Sequence, residues 1–117
     1  MKANVLGFGE IEIDGKRYDH DIVIEAGEVR KRKKSVSKRF REEYGHTPLS
    51  AREDIPWGGK QLIVGTGIYG KLPITPEVEA EADRRGVKLI ALPTEQACRL
   101  VSSARHGETY AVLHVTC

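Results

Sequence analysis

The stretch QLIVGTGIYGKLPITPEVEAEADRRGVKLIAL, residues 61–92, decides the fold because it carries strand, helix and strand signals in succession. Residues 61–64 form a short apolar run that predicts a buried strand. Thr75 followed by Pro76 predicts a helix start, with Thr75 as the N-cap and Pro76 in the first helical position. Gly86, directly after two arginines, is typical of a helix C-terminus. Residues 87–92 then predict a second strand, so this stretch indicates helices packed on a sheet.

The flanking sequence extends this alternation in both directions. On the C-terminal side, residues 94–105 have apolar positions at helical spacing, and residues 109–115 predict a last strand. On the N-terminal side, Asp14-Gly15 and Ala26-Gly27 separate short runs of strand-forming residues, which predicts two β-hairpins. The sequence therefore predicts a single α/β domain, with N-terminal β-hairpins followed by β-α-β-α-β around a mixed β-sheet.

Length and composition set the class of protein. The 117 residues are 39% hydrophobic and 31% charged, which excludes disordered, collagen-like and coiled-coil chains. The apolar runs are too short to span a membrane, and the first residues lack a signal or transit pattern, so we expect a cytoplasmic protein without membrane contact. One Asn, two Gln and one Met beside many charged residues are typical of thermophile proteins.

The glycine loop, residues 65–70, matches the GxGxxG pattern of dinucleotide-binding folds. In those folds the helix begins within the glycines, whereas here it is predicted to begin only near Pro76, which argues against a dinucleotide site. A small anion held by the amides of Thr66 and Gly67 remains as an alternative. The residues predicted to line this crevice at the carboxyl end of the strands are Thr66, Gly67, Tyr69, Thr94 and Glu95.

The basic segment, residues 30–41, holds eight of the 19 basic residues and no acidic residue, so the rest of the chain has a net charge of −6. Val36, Phe40 and Tyr44 are spaced to form one apolar stripe on a short helix. The cations are predicted to form a solvated surface; contacts to nucleic acid, which we consider unlikely, or to an acidic protein are the alternatives. The predicted basic surface consists of Arg30, Lys31, Arg32, Lys33, Lys34, Lys38, Arg39 and Arg41.

The histidines and cysteines do not have the spacing of metal ligands, so neither a metal nor any other cofactor is predicted. His114 and Cys117 could act as base and nucleophile, but strand alternation predicts His114 at the surface, and no catalytic residue is assigned. A disulfide between Cys98 and Cys117 would close a loop of 20 residues and contribute about 3 kcal/mol. Two free thiols are the alternative in a reducing compartment.

The chain resembles the Mth-nine-three-eight-like domain family, a domain of unknown function. The resemblance is carried by IDGKRYDHDIVI (13–24), VGTG (64–67), PTEQA (93–97) and LHVTC (113–117), whereas residues 40–60, including Trp57, match poorly. Relatives include the adipogenesis-associated domain protein and mitochondrial complex I assembly factor three. The resemblance implies a compact three-layer α/β domain and brings no catalytic residues.

Three functional hypotheses follow from these observations. The first is a non-catalytic protein-binding or assembly-assisting module, as the resemblance implies, acting on an unknown protein partner as a monomer or weak homodimer. The second is a protein, possibly enzymatic, that binds a small molecule or anion at the glycine loop. The third is weak nucleic-acid binding through the basic segment.

Overall fold

Two β-sheets form the framework of the computed structural model, which describes residues 1–117. The smaller sheet is antiparallel, with the strand order β1-β2-β3. Asp14 and Gly15 both have positive φ between β2 and β3, as a tight hairpin turn requires. The strands are β1 (Ala3–Gly7), β2 (Glu10–Ile13) and β3 (Lys16–Tyr18).

The larger sheet has five strands in the order β5-β4-β8-β6-β7 and is mixed. Its central strand, β8, pairs antiparallel with β4 and parallel with β6, and β6 pairs parallel with β7. This arrangement confirms the predicted mixed sheet with N-terminal hairpins. The strands are β4 (Ile22–Glu25), β5 (Glu28–Lys31), β6 (Gln61–Thr66), β7 (Lys88–Leu92) and β8 (Ala111–His114).

The helices lie between the strands as the sequence indicates. They are a 3-10 helix (Ser35–Phe40), α1 (Arg41–Tyr44), α2 (Pro76–Arg85), α3 (Thr94–Ser103) and a second 3-10 helix (His106–Glu108). Gly86 ends α2 in the left-handed conformation, with φ of 67°. None of these helices is both long enough and apolar enough to cross a bilayer.

The larger sheet is covered on both faces, so the molecule has two apolar cores. Strand alternation divides the residues of β4: Ile22 and Ile24 face one core and Val23 faces the other. The first core lies between the two sheets and α3 and includes Ile11, Ile63, Ala97, Val101 and Leu113. The second lies under α2 and the loops before it and includes Leu49, Leu62, Val64, Val78 and Val112.

One local prediction is wrong. The stripe on the basic segment does not form, because Val36 is exposed and Ser37 is the buried residue there. Thr75 is the N-cap residue of α2, as predicted, although its side chain makes no capping hydrogen bond and its buried Oγ1 has no partner. Trp57, which the resemblance left unexplained, packs against the second core, with the guanidinium carbon of Arg85 5.6 Å from its ring centroid.

Candidate functional site

A network of buried charges joins one end of the larger sheet to the basic segment. We call Asp21, Arg32, Glu53 and His114 the buried ion network. Arg32 donates from Nε to Glu53 Oε1 at 2.7 Å and from Nη1 to Asp21 Oδ2 at 2.8 Å. The same Asp21 oxygen lies 2.7 Å from His114 Nδ1, and Asp21 Oδ1 accepts from the Val115 amide at 2.9 Å. Arg32 and Asp21 together therefore connect the ends of β4, β5 and β8 with the loop that carries Glu53.

The protonation of Asp21 is set by these partners. Burial alone would raise its pKa, but the hydrogen bond and charge of His114, the Val115 amide and Arg32 lower the pKa to about 2. Burial likewise opposes the charge on Arg32, yet bonds to Glu53 and Asp21 raise its pKa above the ordinary value. These opposite shifts keep Asp21 and Arg32 charged at neutral pH.

Two sequence predictions about this network are wrong. Arg32 was assigned to the basic surface but is only 4% exposed, because Asp21 and Glu53 neutralise it inside the fold. His114 was predicted at the surface but is 9% exposed, because β8 is the central strand and Asp21 accepts a hydrogen bond from its ring. An aspartate directly before a buried strand, as at Asp21, was the available signal.

The glycine loop is closed by the chain itself. Residues 115–117 run alongside it, and the amides of Ile68, Tyr69 and Lys71 donate to the main-chain oxygens of residues 116 and 117 at 2.7–3.3 Å. The Gly67 amide donates to Thr94 Oγ1 at 2.8 Å. A Cβ at Gly67 would overlap the main chain of Cys117 and come within 2.9 Å of the His114 ring. The amides from 67 to 71 thus already have acceptors, which argues against an anion cradle here.

The five residues predicted to line that crevice do not come together. Thr94 and Gly67 are in contact, and Thr66 is buried at the end of β6. Thr94 does not cap α3, because its hydroxyl donates to the His114 carbonyl instead. Glu95 is exposed and pairs with Arg99 at 3.6 Å, and Tyr69 points to solvent.

Tyr69 belongs instead to an exposed aromatic patch, which we define as Phe8 and Tyr69. Their side chains are exposed at 57% and 68% of their surface, and Leu6, two residues before Phe8, is exposed at 47%. The rings of Phe8 and Tyr69 have centroids 6.1 Å apart and planes tilted by 37°. Sequence analysis missed Leu6 and Phe8, although an aromatic residue between Gly7 and Gly9 at a hairpin turn is unusual enough to be a signal.

Main-chain hydrogen bonds hold both of the loops that carry the rings of the aromatic patch. Gly9, next to Phe8, donates to the Val115 carbonyl at 2.8 Å, and the Tyr69 amide donates to Cys117 at 3.3 Å. Segment 115–117 therefore fixes both ring-bearing loops against the end of β8. Such a support reduces the entropy that the two rings lose when they become buried in a contact.

The remaining cations of the basic segment lie at the surface. Arg30 is half-buried and pairs with Glu25 and Asp54 at 3.3 and 3.6 Å. No ion pair involves the other six, which are exposed: Lys31, Lys33, Lys34, Lys38, Arg39 and Arg41.

Both cysteines are free thiols, so the bridge considered from the sequence is absent from the structure. Cys98 is buried against the first core, and burial raises its pKa to about 12. Cys117 is held by main-chain bonds to the glycine loop rather than by a disulfide. Groups of three or more potential metal ligands are not found anywhere in the molecule.

Comparisons with known proteins give both a family and a fold. A family model described as a protein of unknown function (DUF498/DUF598) matches residues 4–102. The conserved hypothetical protein PH1505 from Pyrococcus horikoshii OT3 is 34% identical over 100% of both chains, with a TM-score of 0.78. MT938 is 24% identical over 99% of this chain and 98% of its own, with a TM-score of 0.74.

A protein from Bordetella parapertussis is similar at 21% identity over 97% of this chain and 96% of its own, with a TM-score of 0.57. No curated protein matches the chain.

Proposed function

Because the chain belongs to the DUF498/DUF598 family of proteins of unknown function, we propose that it is a non-catalytic protein-binding module whose contact surface is the aromatic patch. The membership of the chain in this family agrees with its resemblance to the Mth-nine-three-eight-like domain family. The exposed pair of rings formed by Phe8 and Tyr69, whose loops are held by main-chain hydrogen bonds to residues 115–117, is the observation that carries the proposal.

Exposed aromatic side chains are the residues that contribute most to protein contacts. Tyr and other large rings bury much apolar area and lose few rotamers on binding. Here the loops that carry both rings are held by main-chain hydrogen bonds to residues 115–117, and Leu6, two residues before Phe8, is also exposed. Clustered exposure of this kind on a chain with 31% charged residues favours a binding surface over an ordinary solvated one.

The polar side chains inside the fold favour binding over catalysis. Ser37, Ser50 and Glu53 are hydrogen-bonded to one another, and His114 has contacts at both ring nitrogens. None of the four is free to act on a substrate without first breaking an internal bond. The two free thiols agree with a reducing compartment such as the cytoplasm.

The partner is a different protein with an apolar centre and an acidic rim. Lys71, two residues after Tyr69, is exposed and has no ion pair, so it would attract a carboxylate at the edge of the contact. In a two-fold contact between copies of this chain the same surface would meet itself, bringing the two Lys71 side chains to the same interface.

The double variant Phe8→Ser/Tyr69→Ser tests the proposal. Tagged wild-type protein would capture a partner from extracts of the source organism, and the purified pair would then be titrated. We expect the double variant to weaken the purified complex by at least about a hundredfold, since each ring is a candidate hot spot. Val36→Ser removes an exposed apolar side chain outside the patch and should bind like the wild type.

Equal binding of the purified partner by the wild type and the double variant would contradict the proposal. So would a wild-type dimer that the double variant dissociates in size-exclusion chromatography with light scattering, because the patch would then be a self-contact.

A further inference from the structure

Two arginines that make no ion pair line the same depression in the surface. Of the ten arginines, six make ion pairs: Arg17, Arg30, Arg32, Arg84, Arg85 and Arg99. Of the four others, Arg39 and Arg52 line the same open depression of about 430 Å³, together with Ser35 and Val36. We call this the arginine depression. Guanidinium groups that lack an internal carboxylate and share a concave surface are available to an external anion.

Buried hydrogen bonds join the two chain segments that carry Arg39 and Arg52. Ser37 Oγ lies 2.6 Å from Ser50 Oγ and donates to Glu53 Oε2 at 2.6 Å. Arg39 follows Ser37 by two residues, and Arg52 follows Ser50 by two residues. The buried serine pair therefore fixes the separation of the segments that carry the guanidinium groups, which reduces the ordering cost of binding.

A smaller cavity of about 150 Å³ adjoins the arginine depression and shares Arg52 with it. Its lining includes the carboxylates Glu43 and Glu77, the half-buried ring of Tyr44, and Thr75, whose buried Oγ1 has no hydrogen-bond partner. Burial and the two carboxylates raise the pKa of Tyr44. The two depressions thus differ in charge, because the first has two cations and the second has two anions beside Arg52.

We propose that the arginine depression binds the phosphoryl group of a phosphorylated serine or threonine in a protein segment, with Arg39, Arg52 and Ser35 as its hydrogen-bond donors. The site is separate from the aromatic patch and does not depend on the function proposed for that patch. Arginine pairs suit this ligand because a phosphate monoester carries close to two negative charges and accepts paired N–H donors.

The smaller cavity favours a peptide over a nucleic acid. The next phosphate of a nucleic-acid backbone would meet Glu43 and Glu77, which would repel it. A neutral or basic side chain beside the phosphorylated residue would instead find the carboxylates of Glu43 and Glu77. Glutamates on the other side of the phosphorylated residue would suit a surface near the exposed cations of the basic segment, to which Arg39 itself belongs.

The probe is a fluorescein-labelled short peptide with one phosphoserine, glutamates on one side and glutamines on the other. Its binding to the whole protein is measured by fluorescence anisotropy near physiological salt. We expect at least about tenfold tighter binding than for the same peptide with unphosphorylated serine. Two further ligands are compared: a labelled DNA duplex and inorganic phosphate, the latter added as a competitor. Each is expected to bind more weakly than the phosphopeptide.

Three double variants test the donors. Arg39→Gln/Arg52→Gln should weaken phosphopeptide binding by about tenfold to a hundredfold. Arg39→Lys/Arg52→Lys keeps the charge but removes the paired donors, and should lose a large part of the affinity. Lys60→Gln/Arg105→Gln removes two cations from another depression and should bind like the wild type. Thermal unfolding checks that each variant is folded.

The proposal would be overturned by equal binding of the phosphorylated and unphosphorylated peptides, or by equal losses in the glutamine variants of the two depressions. Tighter binding of the DNA duplex than of the phosphopeptide would identify a nucleic-acid surface and would overturn it as well. Tighter binding of inorganic phosphate than of the peptide would also count against a protein segment.

Discussion

Arg32 is the shared counter-charge of two carboxylates that would otherwise be buried without a cation. Its guanidinium contacts Asp21, Glu53 and the Pro48 carbonyl, and all three residues of the ion pairs are less than 9% exposed. Removing one member of a buried ion network costs more than the network itself contributes, because the remaining charges keep their desolvation penalty. Arg32 is therefore a structural cation within a segment of surface cations.

We expect Arg32→Met to lower the free energy of unfolding by about 3–5 kcal/mol, because it leaves Asp21 and Glu53 facing each other in the interior. The exposed Lys34→Met is the matched control and should change it by less than about 0.5 kcal/mol. Urea denaturation of the three proteins measures both values. An Arg32 variant as stable as the control would show that the network does not hold the fold.

Asp21 gives the protein a defined acid sensitivity. Its pKa is about 2 in the folded state, below the ordinary 3.8, so the unfolded chain takes up this proton at the higher pH. The stabilisation is complete above about pH 4 and is lost as the pH falls towards 2; its size is about 2 kcal/mol. The stability difference between wild type and Asp21→Asn should shrink by that amount over this range.

Urea denaturation at a series of pH values measures this effect. Asp19→Asn, which replaces an exposed aspartate without an ion pair, is the matched control in the same series. If the Asp19 and Asp21 variants behave alike, the acid sensitivity has another source.

At the scale of elements, α3 determines the reactivity of Cys98. Cys98 faces the first core from this helix, and its pKa of about 12 leaves almost no thiolate at neutral pH. Iodoacetamide should therefore label the folded protein once, at the partly exposed Cys117, and the denatured, unreduced protein twice. Intact mass spectrometry counts the labels. Fewer than two labels after denaturation without reductant would mean that a disulfide exists.

The elements differ in how well the sequence predicts them. Residues 76–85 carry a start signal, a helical face and Gly86, and α2 has those bounds because each signal is local. Strand β1 was missed, since Ala3–Gly7 lacks strict alternation and is stabilised by pairing with β2 and by Ser102 on α3. Ser50 and Glu53 have the spacing of a capping box, and the Ser50 amide donates to the Glu53 carboxylate as in a capping box. The same carboxylate also accepts from Arg32, and no helix forms.

The candidate site was predicted less well than the fold because it depends on distant residues. Tyr69 could be assigned to the glycine loop, but its contact with Phe8 joins residues 61 positions apart. His114 and Arg32 are buried with Asp21 as a shared partner, and Asp21 lies directly before β4, far from both in the sequence. A periodic pattern reports which face of one element is covered and says nothing about a polar partner from another element.

At the scale of the whole molecule, one sheet belongs to both cores. Each of β4, β6 and β8 contributes side chains to both apolar clusters, so loss of one core removes support from the other. We expect a single unfolding transition that is lowered by Val101→Ala in the first core and by Val78→Ala in the second. Each variant should lose about 2 kcal/mol, because each deletes two buried methyl groups.

Far-ultraviolet and near-ultraviolet circular dichroism during denaturation compare secondary and tertiary structure, and Val36→Ala at the surface serves as the control. Two separate transitions, or a variant in which only one signal shifts, would contradict a shared framework.

The place of β8 in the sheet also determines when the protein can fold during synthesis. This strand is the last of the eight to leave the ribosome, yet it lies between β4 and β6, which do not pair with each other. Until residues 111–114 emerge, β4 and β6 each have an unpaired edge to which chaperones or other nascent chains can bind. A ribosome-bound chain arrested before β8 should be digested by protease as readily as an unfolded one, because this sheet cannot form without its central strand.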